Sequence, residues 1–305
     1  SIMKQIRILK VKGEKSMKFI CNKTELSEDS INWVTEITSP LYKLIDNIII
    51  ILADPISTPP TISNLYHILR KFLLIQPNIK DQLLDNELYP QTIVNYISLF
   101  DSEHKDTFTV DCFFVLVATF SERHFVPLLK EEFIHGIFES LSIVNDEECF
   151  DMLVELLVDI SSTYVDIESN LFLKVYHYHD NARLINEVLL RQLNVDDNNK
   201  EKLFKLYLTM TNIMDKEKCC VLYSSDLEVF VDIALNKLDS TSSEELKFFI
   251  LEAMERVTLY DEYYKDMYKI DEMNELFDNI ANSDEISENI RERAQNILDN
   301  LAKHI

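Results

Sequence analysis

Apolar residues recur at spacings of three and four along almost the whole chain after residue 26, which is the pattern of amphipathic α-helices. The first helix is predicted to begin near Ser27 and to end before Pro40, and a second is predicted over residues 41–53, because Asp54 precedes a proline. The same spacing, interrupted by short polar links, predicts further helices over residues 61–75, 79–100, 107–121, 130–142, 167–178, 182–194, 198–214, 225–238, 242–259, 271–281 and 285–303.

Three of the helical segments carry additional signals. Residues 145–148 supply a capping asparagine followed by acids, and they predict the start of a helix that buries apolar side chains from Phe150 to Ile160. The segment Leu227–Leu238 is apolar nearly all round, so it predicts an inner helix covered on both sides. The last helix has a single narrow apolar stripe from Ile286 to Leu301, which suits the end of a stack.

The number of successive helices is too large for one four-helix bundle. Pairs or triplets of helices stacked in units of about 40–45 residues would bury all the apolar stripes. The sequence therefore predicts an all-α, armadillo/HEAT-like right-handed helical solenoid over residues 27–305. Residues 1–26 are predicted to form a separate basic N-terminal arm or small hairpin.

The charge of the chain restricts its partners. Lysine and arginine total 30 and aspartate and glutamate 53, for a formal net charge of −23. Since general nucleic-acid binding depends on neutralising phosphates, no nucleic-acid partner is expected. Residues 1–23 are the exception, because they contain many lysines and only one acid, Glu14. This segment is interpreted as a solvated arm, or alternatively as an arm that docks on an acidic surface.

Glycine scarcity excludes several enzyme classes. The chain has two glycines, Gly13 and Gly136, and so cannot build a Gly-rich phosphate loop, a dinucleotide fingerprint or a nucleophile elbow. The first twenty residues do not resemble a secretory signal, and the longest apolar run, Cys112–Ala118, is too short to span a membrane. The five cysteines are interpreted as reduced thiols in a cytosolic or nuclear protein without membrane insertion.

Candidate chemical sites have simpler structural interpretations. His177 and His179 would point to different sides of a helix, and they are expected to close one helix and cap the next. Cys219-Cys220 lacks the spacing of a redox or zinc pair, and residues 196–199 lack the glycine and glutamate of a calcium loop. The tyrosines between 260 and 268 are interpreted as rings packed on a neighbouring repeat, or alternatively as part of a binding surface. No catalytic residue, cofactor or metal is predicted.

The segment Tyr223–Ile233 has the sequence YSSDLEVFVDI. It resembles the Y-[TS]-[NS]-D-L-K-V-hydrophobic-hydrophobic-D-I segment of the WISH/DIP/SPIN-ninety family. Leu246–Leu259 is placed like the second helix of the family pattern, and Tyr264-Lys265 or Tyr268-Lys269 like its Tyr-Lys element. The helices from about residue 61 to Ser161 are similar, more loosely, to the leucine-rich armadillo region of that family.

The resemblance implies a function without catalysis. Members of this family bind and activate the actin-related protein 2/3 complex without a pre-existing filament, and they thereby seed linear actin filaments at endocytic actin patches. The resemblance thus implies a cytoplasmic protein of cortical actin patches that acts on actin indirectly, through the complex. The chain looks like a compact fungal-type member, since it shows neither the Src-homology domain nor the proline-rich stretch of longer animal relatives.

Candidate contact residues come from the middle of the chain, because interfaces favour aromatic and basic anchors and this chain is acidic. The predicted protein-binding residues are Lys174, Tyr178, Arg191, Lys202 and Lys205. The alternative for each of them is an ordinary solvent-exposed side chain that contacts no partner. The alternative for the whole protein is a generic armadillo/HEAT-type scaffold or adaptor. Such an adaptor is expected to carry a regular ladder of Asn and Trp along one groove, so the single tryptophan of this chain, Trp33, weakens that alternative.

Overall fold

The computed structural model describes residues 43–100, 110–141, 144, 147–164, 166–195, 199–214, 222–261 and 263–303. Within those ranges all regular structure is helical and no β-strand occurs, which confirms the predicted all-α class. The α-helices are α1 (43–53), α2 (Pro59–Ile75), α3 (Ile79–Asp85), α4 (Leu88–Ser98), α5 (Val110–Thr119), α6 (Glu122–Phe125), α7 (Glu131–Leu141), α8 (Glu147–Ser162), α9 (Leu171–Tyr176), α10 (Ala182–Asn194), α11 (Lys200–Ile213), α12 (Ser224–Ser240), α13 (Glu244–Val257), α14 (Ile270–Ala281) and α15 (Glu288–Ala302). The predicted arm at 1–26 and the predicted helix before Pro40 lie outside the described residues.

The unit that begins at Leu52 is built from helices that contact one another in two series. In the first series, α2 contacts α5, α5 contacts α8, and the contacts continue through α11 and α13 to α15. In the second, α4 contacts α7 and α7 contacts α9, while α10 contacts α12. Helix α8 links the two series, because it also contacts α7, α9 and α10.

Helix α8 shows how the sequence pattern produces this packing. Leu153, Val154, Leu157 and Ile160 are fully buried, as their spacing predicts, whereas Phe150 is only half-buried. Burying one such side chain contributes about 1.5–3 kcal/mol relative to leaving it exposed. The opposite face of the helix is acidic and remains partly exposed, so α8 presents charge to the surface while it anchors the core.

The prediction of one continuous helix over residues 79–100 is wrong, because the chain forms α3 and α4 with a break at Asn86. Pro90 explains the break: in a continuous helix its ring would clash with the carbonyl of Asn86, four residues earlier. Asn86 instead adopts extended backbone angles, and its side-chain oxygen accepts a hydrogen bond from the Leu88 N–H at 3.0 Å. Pro90 then occupies the first turn of α4, where no N–H is needed.

The helix predicted over residues 167–178 is also divided. A 3-10 turn covers Ile167–Ser169, and α9 begins only after Asn170. The buried Asn170 side chain accepts a hydrogen bond from the Leu173 N–H at 3.3 Å and donates one to the Ser161 carbonyl at 3.1 Å. An asparagine that caps a helix and ties it to α8 at the same time is incompatible with continuous helix through this point.

Helix α12 departs from the prediction of an inner helix covered on both sides. Leu227, Phe230, Val231 and Ala234 are buried, and α12 contacts α10, α13 and the 3-10 turn Tyr263–Lys265. Val229, however, is 48% exposed, so one side of the helix remains open despite its apolar sequence.

The last helix keeps its predicted stripe. Ile290, Ala294, Ile297 and Leu301 of α15 are buried against α13 and α14. The helix begins after Ser287, so Ile286 precedes it. Among the predicted thiols, Cys112 and Cys149 are buried, whereas the Cys219-Cys220 pair lies outside the described residues.

Candidate functional site

One face of α8 carries four acids at four-residue spacing, and three of the predicted contact residues meet it. The acids are Glu147, Asp151, Glu155 and Asp159. Residues four apart share a helix face, and like charges at that spacing repel one another. The stripe therefore favours cations from neighbouring helices.

Arg191, near the end of α10, pairs with the first half of this acidic stripe. Its Nη1 lies 2.8 Å from Glu147 Oε1, and its Nη2 donates to Asp151 Oδ1. The arginine side chain is 45% exposed, so we expect these pairs to add at most about 1 kcal/mol of stability. Arg191 thus bridges two turns of α8 while part of its guanidinium stays accessible.

Lys202 and Lys205 of α11 pair with the second half of the stripe. Lys202 Nζ donates to Glu155 Oε1, and Lys205 Nζ lies 2.9 Å from Asp159 Oδ1 and 3.3 Å from Glu201 Oε1. Burial by itself lowers the pKa of Lys205, but the hydrogen bonds and charges of Asp159 and Glu201 outweigh it and leave the pKa above its ordinary value. Lys205 therefore keeps its positive charge in this contact.

A small cleft of about 230 Å³ opens between α8, α10 and α11 beside these ion pairs. Its polar lining comes from Glu155, Asp159, Gln192, Asn199, Glu201, Lys202 and Lys205. Gln192 is only 7% exposed, and its Oε1 has no hydrogen-bond partner. The α8 face thus combines surface ion pairs with a recess that contains an unpaired buried acceptor.

Lys174 and Tyr178 belong to α9 and the turn that follows it. Lys174 Nζ lies 3.7 Å from Glu131 Oε1 at the start of α7. Tyr178 is 85% exposed, which is unusual for an aromatic ring. Among the described residues, no hydrogen bond or ion pair connects either side chain to the α8 face, so the five predicted residues form two groups.

The turn that carries Tyr178 is held firmly against α7. Asn181 Nδ2 donates to the Phe138 carbonyl at 2.8 Å, and the Asn181 N–H donates to His179 Nδ1 at 3.2 Å. The His179 ring packs 5.0 Å from the Phe138 ring and 5.8 Å from that of His135. Burial lowers the pKa of His179, which favours the neutral ring in this contact. The predicted role of residues 177–181 in closing one helix and starting the next is confirmed, since His177 caps the end of α9 and Asn181 precedes α10.

A second exposed aromatic residue was not among the predicted contact residues. Tyr223, the residue before α12, is 54% exposed, and the Arg183 guanidinium lies 5.1 Å from the centre of its ring. Leu184 and Val229, on the two helices that meet here, are also exposed. The signal was present in the sequence, because Tyr223 opens the YSSDLEVFVDI segment.

The tyrosines after α13 have structural roles. Tyr264 Oη donates to the Thr258 carbonyl at 2.7 Å and also approaches the Asn300 carbonyl of α15 at 3.3 Å. Burial raises the pKa of Tyr264 to about 12. Tyr268 Oη lies 3.1 Å from Asp232 Oδ2 of α12. These contacts agree with the interpretation of rings that pack on neighbouring helices.

Comparisons with known proteins add no relative. No family model matches the chain, and no curated protein matches it. In the described part of the chain, no three His, Cys, Asp or Glu side chains are grouped so that they could hold a metal ion. The described helices include none with the length and apolar character needed to cross a bilayer.

Proposed function

We propose that this chain is an armadillo-like member of the WISH/DIP/SPIN-ninety family that activates the actin-related protein 2/3 complex without catalysing a reaction. It would act in the cytoplasm at cortical actin patches and seed linear filaments. The observation that carries the proposal is the segment Tyr223–Ile233, which resembles the family motif and forms the start of α12.

The surroundings of this segment support its being a structural unit. Asp226 Oδ2 accepts a hydrogen bond from the Tyr223 N–H at 3.2 Å and so caps the helix. Tyr268 reaches Asp232 on the same helix, and Lys269 Nζ lies 2.9 Å from the other oxygen of that carboxylate. Tyr268-Lys269, one of the two candidates for the Tyr-Lys element of the resemblance, thus contacts the helix that carries the main motif.

The two series of helix contacts support an armadillo-like solenoid. From α2 to α13, successive helices of the first series are separated in sequence by at least one helix of the second. Repeats that contact mainly their neighbours provide an extended, stiff binding surface. The helices of the unit that begins at Leu52 are consistent with such a surface, and in this proposal the α8 face, Tyr178 and Tyr223 belong to it.

The activity requires only differential binding. An activator that binds the active arrangement of the complex more tightly than the inactive one shifts the population by that difference in affinity. Moving an equilibrium from 1:99 to 99:1 needs a preference of about 5.5 kcal/mol, which implies a large contact rather than a single anchor. In this proposal Tyr178 and the exposed parts of Lys174, Arg191, Lys202 and Lys205 supply part of that contact.

Assembly of fluorescent actin with the purified complex tests the proposal. We expect the full chain to shorten the lag phase without added filaments and to yield linear filaments under the microscope. Tyr178→Ala is expected to lower this activation, whereas Leu99→Ala, which truncates another exposed apolar residue, should leave it unchanged. Binding of the complex without nucleation would favour a scaffold or adaptor, and absence of both would refute the proposal.

A further inference from the structure

The turn that carries Tyr178 is held by a hydrogen bond whose geometry specifies the protonation state of His179. The Asn181 N–H donates to His179 Nδ1 at 3.2 Å, so this nitrogen is the acceptor and carries no proton. In a neutral imidazole the proton then lies on Nε2, which is 3.5 Å from Glu139 Oε1 of α7. The neutral ring is thereby matched on both sides, by a donor on the turn and by an acceptor on the neighbouring helix.

A protonated ring does not fit this arrangement, because both nitrogens of a charged imidazole are donors. The added proton on His179 Nδ1 would face the Asn181 N–H, and the hydrogen bond between them would be lost. The same stretch of backbone starts α10. The Ala182 N–H donates to the His179 carbonyl at 3.0 Å, and the Leu184 N–H donates to the Asn181 carbonyl at 3.1 Å. Protonation therefore removes one of the contacts that hold residues 177–181 and the first turn of α10.

The surroundings of the ring also disfavour a charge on it. The His179 side chain is 9% exposed, and its ring centre lies 5.0 Å from that of Phe138 and 5.8 Å from that of His135. Burial lowers the pKa of His179, and a charge on His135 lowers it further. Glu139 and Asp180 act in the opposite direction, but the pKa stays below the ordinary histidine value of about 6.5. The other charged side chains of α9 and of the first turn of α10 are Lys174 and Arg183, which pair with Glu131 and Glu187.

We propose that residues 177–181 form an acid-sensitive switch, which neutral His179 holds closed and protonated His179 opens. Because the folded-state pKa of this base is lowered, the closed turn is fully stabilised above the unfolded value and loses stability as the pH falls toward the folded value. Tyr178 lies within the turn, so opening changes how its exposed ring is presented. This consequence for binding rests on the proposed function, in which Tyr178 contacts the complex, whereas the switch itself needs only the turn.

Amide hydrogen exchange of the full chain, corrected for the intrinsic exchange rate at each pH, tests the switch. The protection factors of the Asn181, Ala182 and Leu184 N–H groups should fall by about threefold between pH 7.5 and pH 5.5. His179→Asn should abolish this fall, because the Oδ1 atom of asparagine takes the place of Nδ1 as acceptor and does not titrate. Absence of the fall in the unmodified chain, or an equal fall in His179→Asn, would overturn the switch.

His124→Asn is the matched control for removing a histidine. His124 Nδ1 lies 3.1 Å from Ser121 Oγ, and a hydroxyl can turn to accept from a protonated ring, so the fall at the start of α10 should remain in this variant. Nitrogen-15 spectra of the histidine-labelled, unmodified chain give a second measurement that needs no variant to fold. At pH 7.5 the proton of His179 should be on Nε2, and a proton on Nδ1 would refute the inference.

Actin assembly with the purified complex tests the consequence for binding separately. The unmodified chain is compared with His179→Asn at pH 7.5 and at pH 6, so that any effect of pH on actin itself is common to both. We expect equal activation at pH 7.5 and weaker activation by the unmodified chain at pH 6. Equal activation at both pH values would refute the link between the turn and the complex, and no activation by either chain would refute the proposed function. Because the exchange measurement contains no actin and no complex, it decides the switch independently of both outcomes.

Discussion

The backbone carbonyl oxygen of Ile97 lies less than 3.0 Å from the point that a Cβ atom on Gly136 would occupy. The Ile97 carbonyl carbon lies 3.0 Å from the same point and its Cγ2 atom 3.2 Å. Glycine in the middle of α7 costs helix stability, but here it allows α7 to approach the backbone of α4 closely. The contact between α4 and α7 therefore depends on one of only two glycines in the chain.

Gly136→Ala should destabilise the protein even though alanine favours helix. The new methyl group would meet backbone atoms that cannot rotate away, so α4 and α7 must separate. Overpacking of this kind costs about 1–3 kcal/mol, more than the roughly 0.5–1 kcal/mol that alanine gains in a helix. Urea unfolding followed by circular dichroism measures the difference. Glu132→Ala, at an exposed position on the same helix, should change stability by less than about 0.5 kcal/mol, and a stabilised Gly136→Ala variant would contradict the close approach.

Arg293→Ala should be more destabilising than Arg191→Ala, although both arginines bridge two acids. Arg293 of α15 is 24% exposed, pairs with Glu252 at 3.0 Å and Glu255 at 2.6 Å on α13, and places its guanidinium 4.4 Å from the centre of the Phe248 ring. We expect losses of about 1–3 kcal/mol for Arg293→Ala and below about 1 kcal/mol for Arg191→Ala. Arg293→Lys should recover only part of the loss, because lysine cannot make the bidentate, stacked contact. Equal losses for the two alanine variants would contradict this ranking.

Asp111 should make stability depend on acidity. Burial alone raises the pKa of this carboxyl, but hydrogen bonds and charges from Arg70 and His67 outweigh it and bring the pKa below 3.8. Because the folded-state pKa is depressed, the stabilisation is fully present above the unfolded value and is lost as the pH falls through the folded value.

Asp111→Asn should therefore lower the unfolding temperature at neutral pH. The difference from the unmodified chain should shrink below about pH 3.8. Thermal unfolding across pH 2–7 provides the measurement. Asp284→Asn, at an exposed position, is the control, and a difference that stays constant with pH would show that Asp111 acts through something other than its charge.

The sequence predicts where most helices lie, but it predicts much less about which residues of different helices contact one another. The 3.6-residue pattern located α8 and α15, because their apolar residues pack on one side. It missed the break at Asn86, since the clash that causes it originates four residues later, at Pro90. The acids of α8 recur visibly every four residues, yet only the tertiary arrangement shows that Arg191, Lys202 and Lys205 face them. That Gln192 Oε1 is buried without a hydrogen-bond partner could not be predicted from the sequence, because it depends on which residues of other helices surround the side chain.

Exchanging the charges of Lys202 and Glu155 would separate a role in folding from a role in binding. Lys202→Glu and Glu155→Lys should each lower the free energy of unfolding by up to about 1 kcal/mol, since both side chains are partly exposed. The double variant should recover most of that loss, because the ion pair re-forms with its charges exchanged.

Activation of the actin-related protein 2/3 complex should not recover in the same way. If Lys202 contacts the complex, Lys202→Glu lowers activation, and the double variant stays impaired although its stability returns. Recovery of activation together with stability would mean that Lys202 acts only by holding α11 against α8 and does not contact the complex.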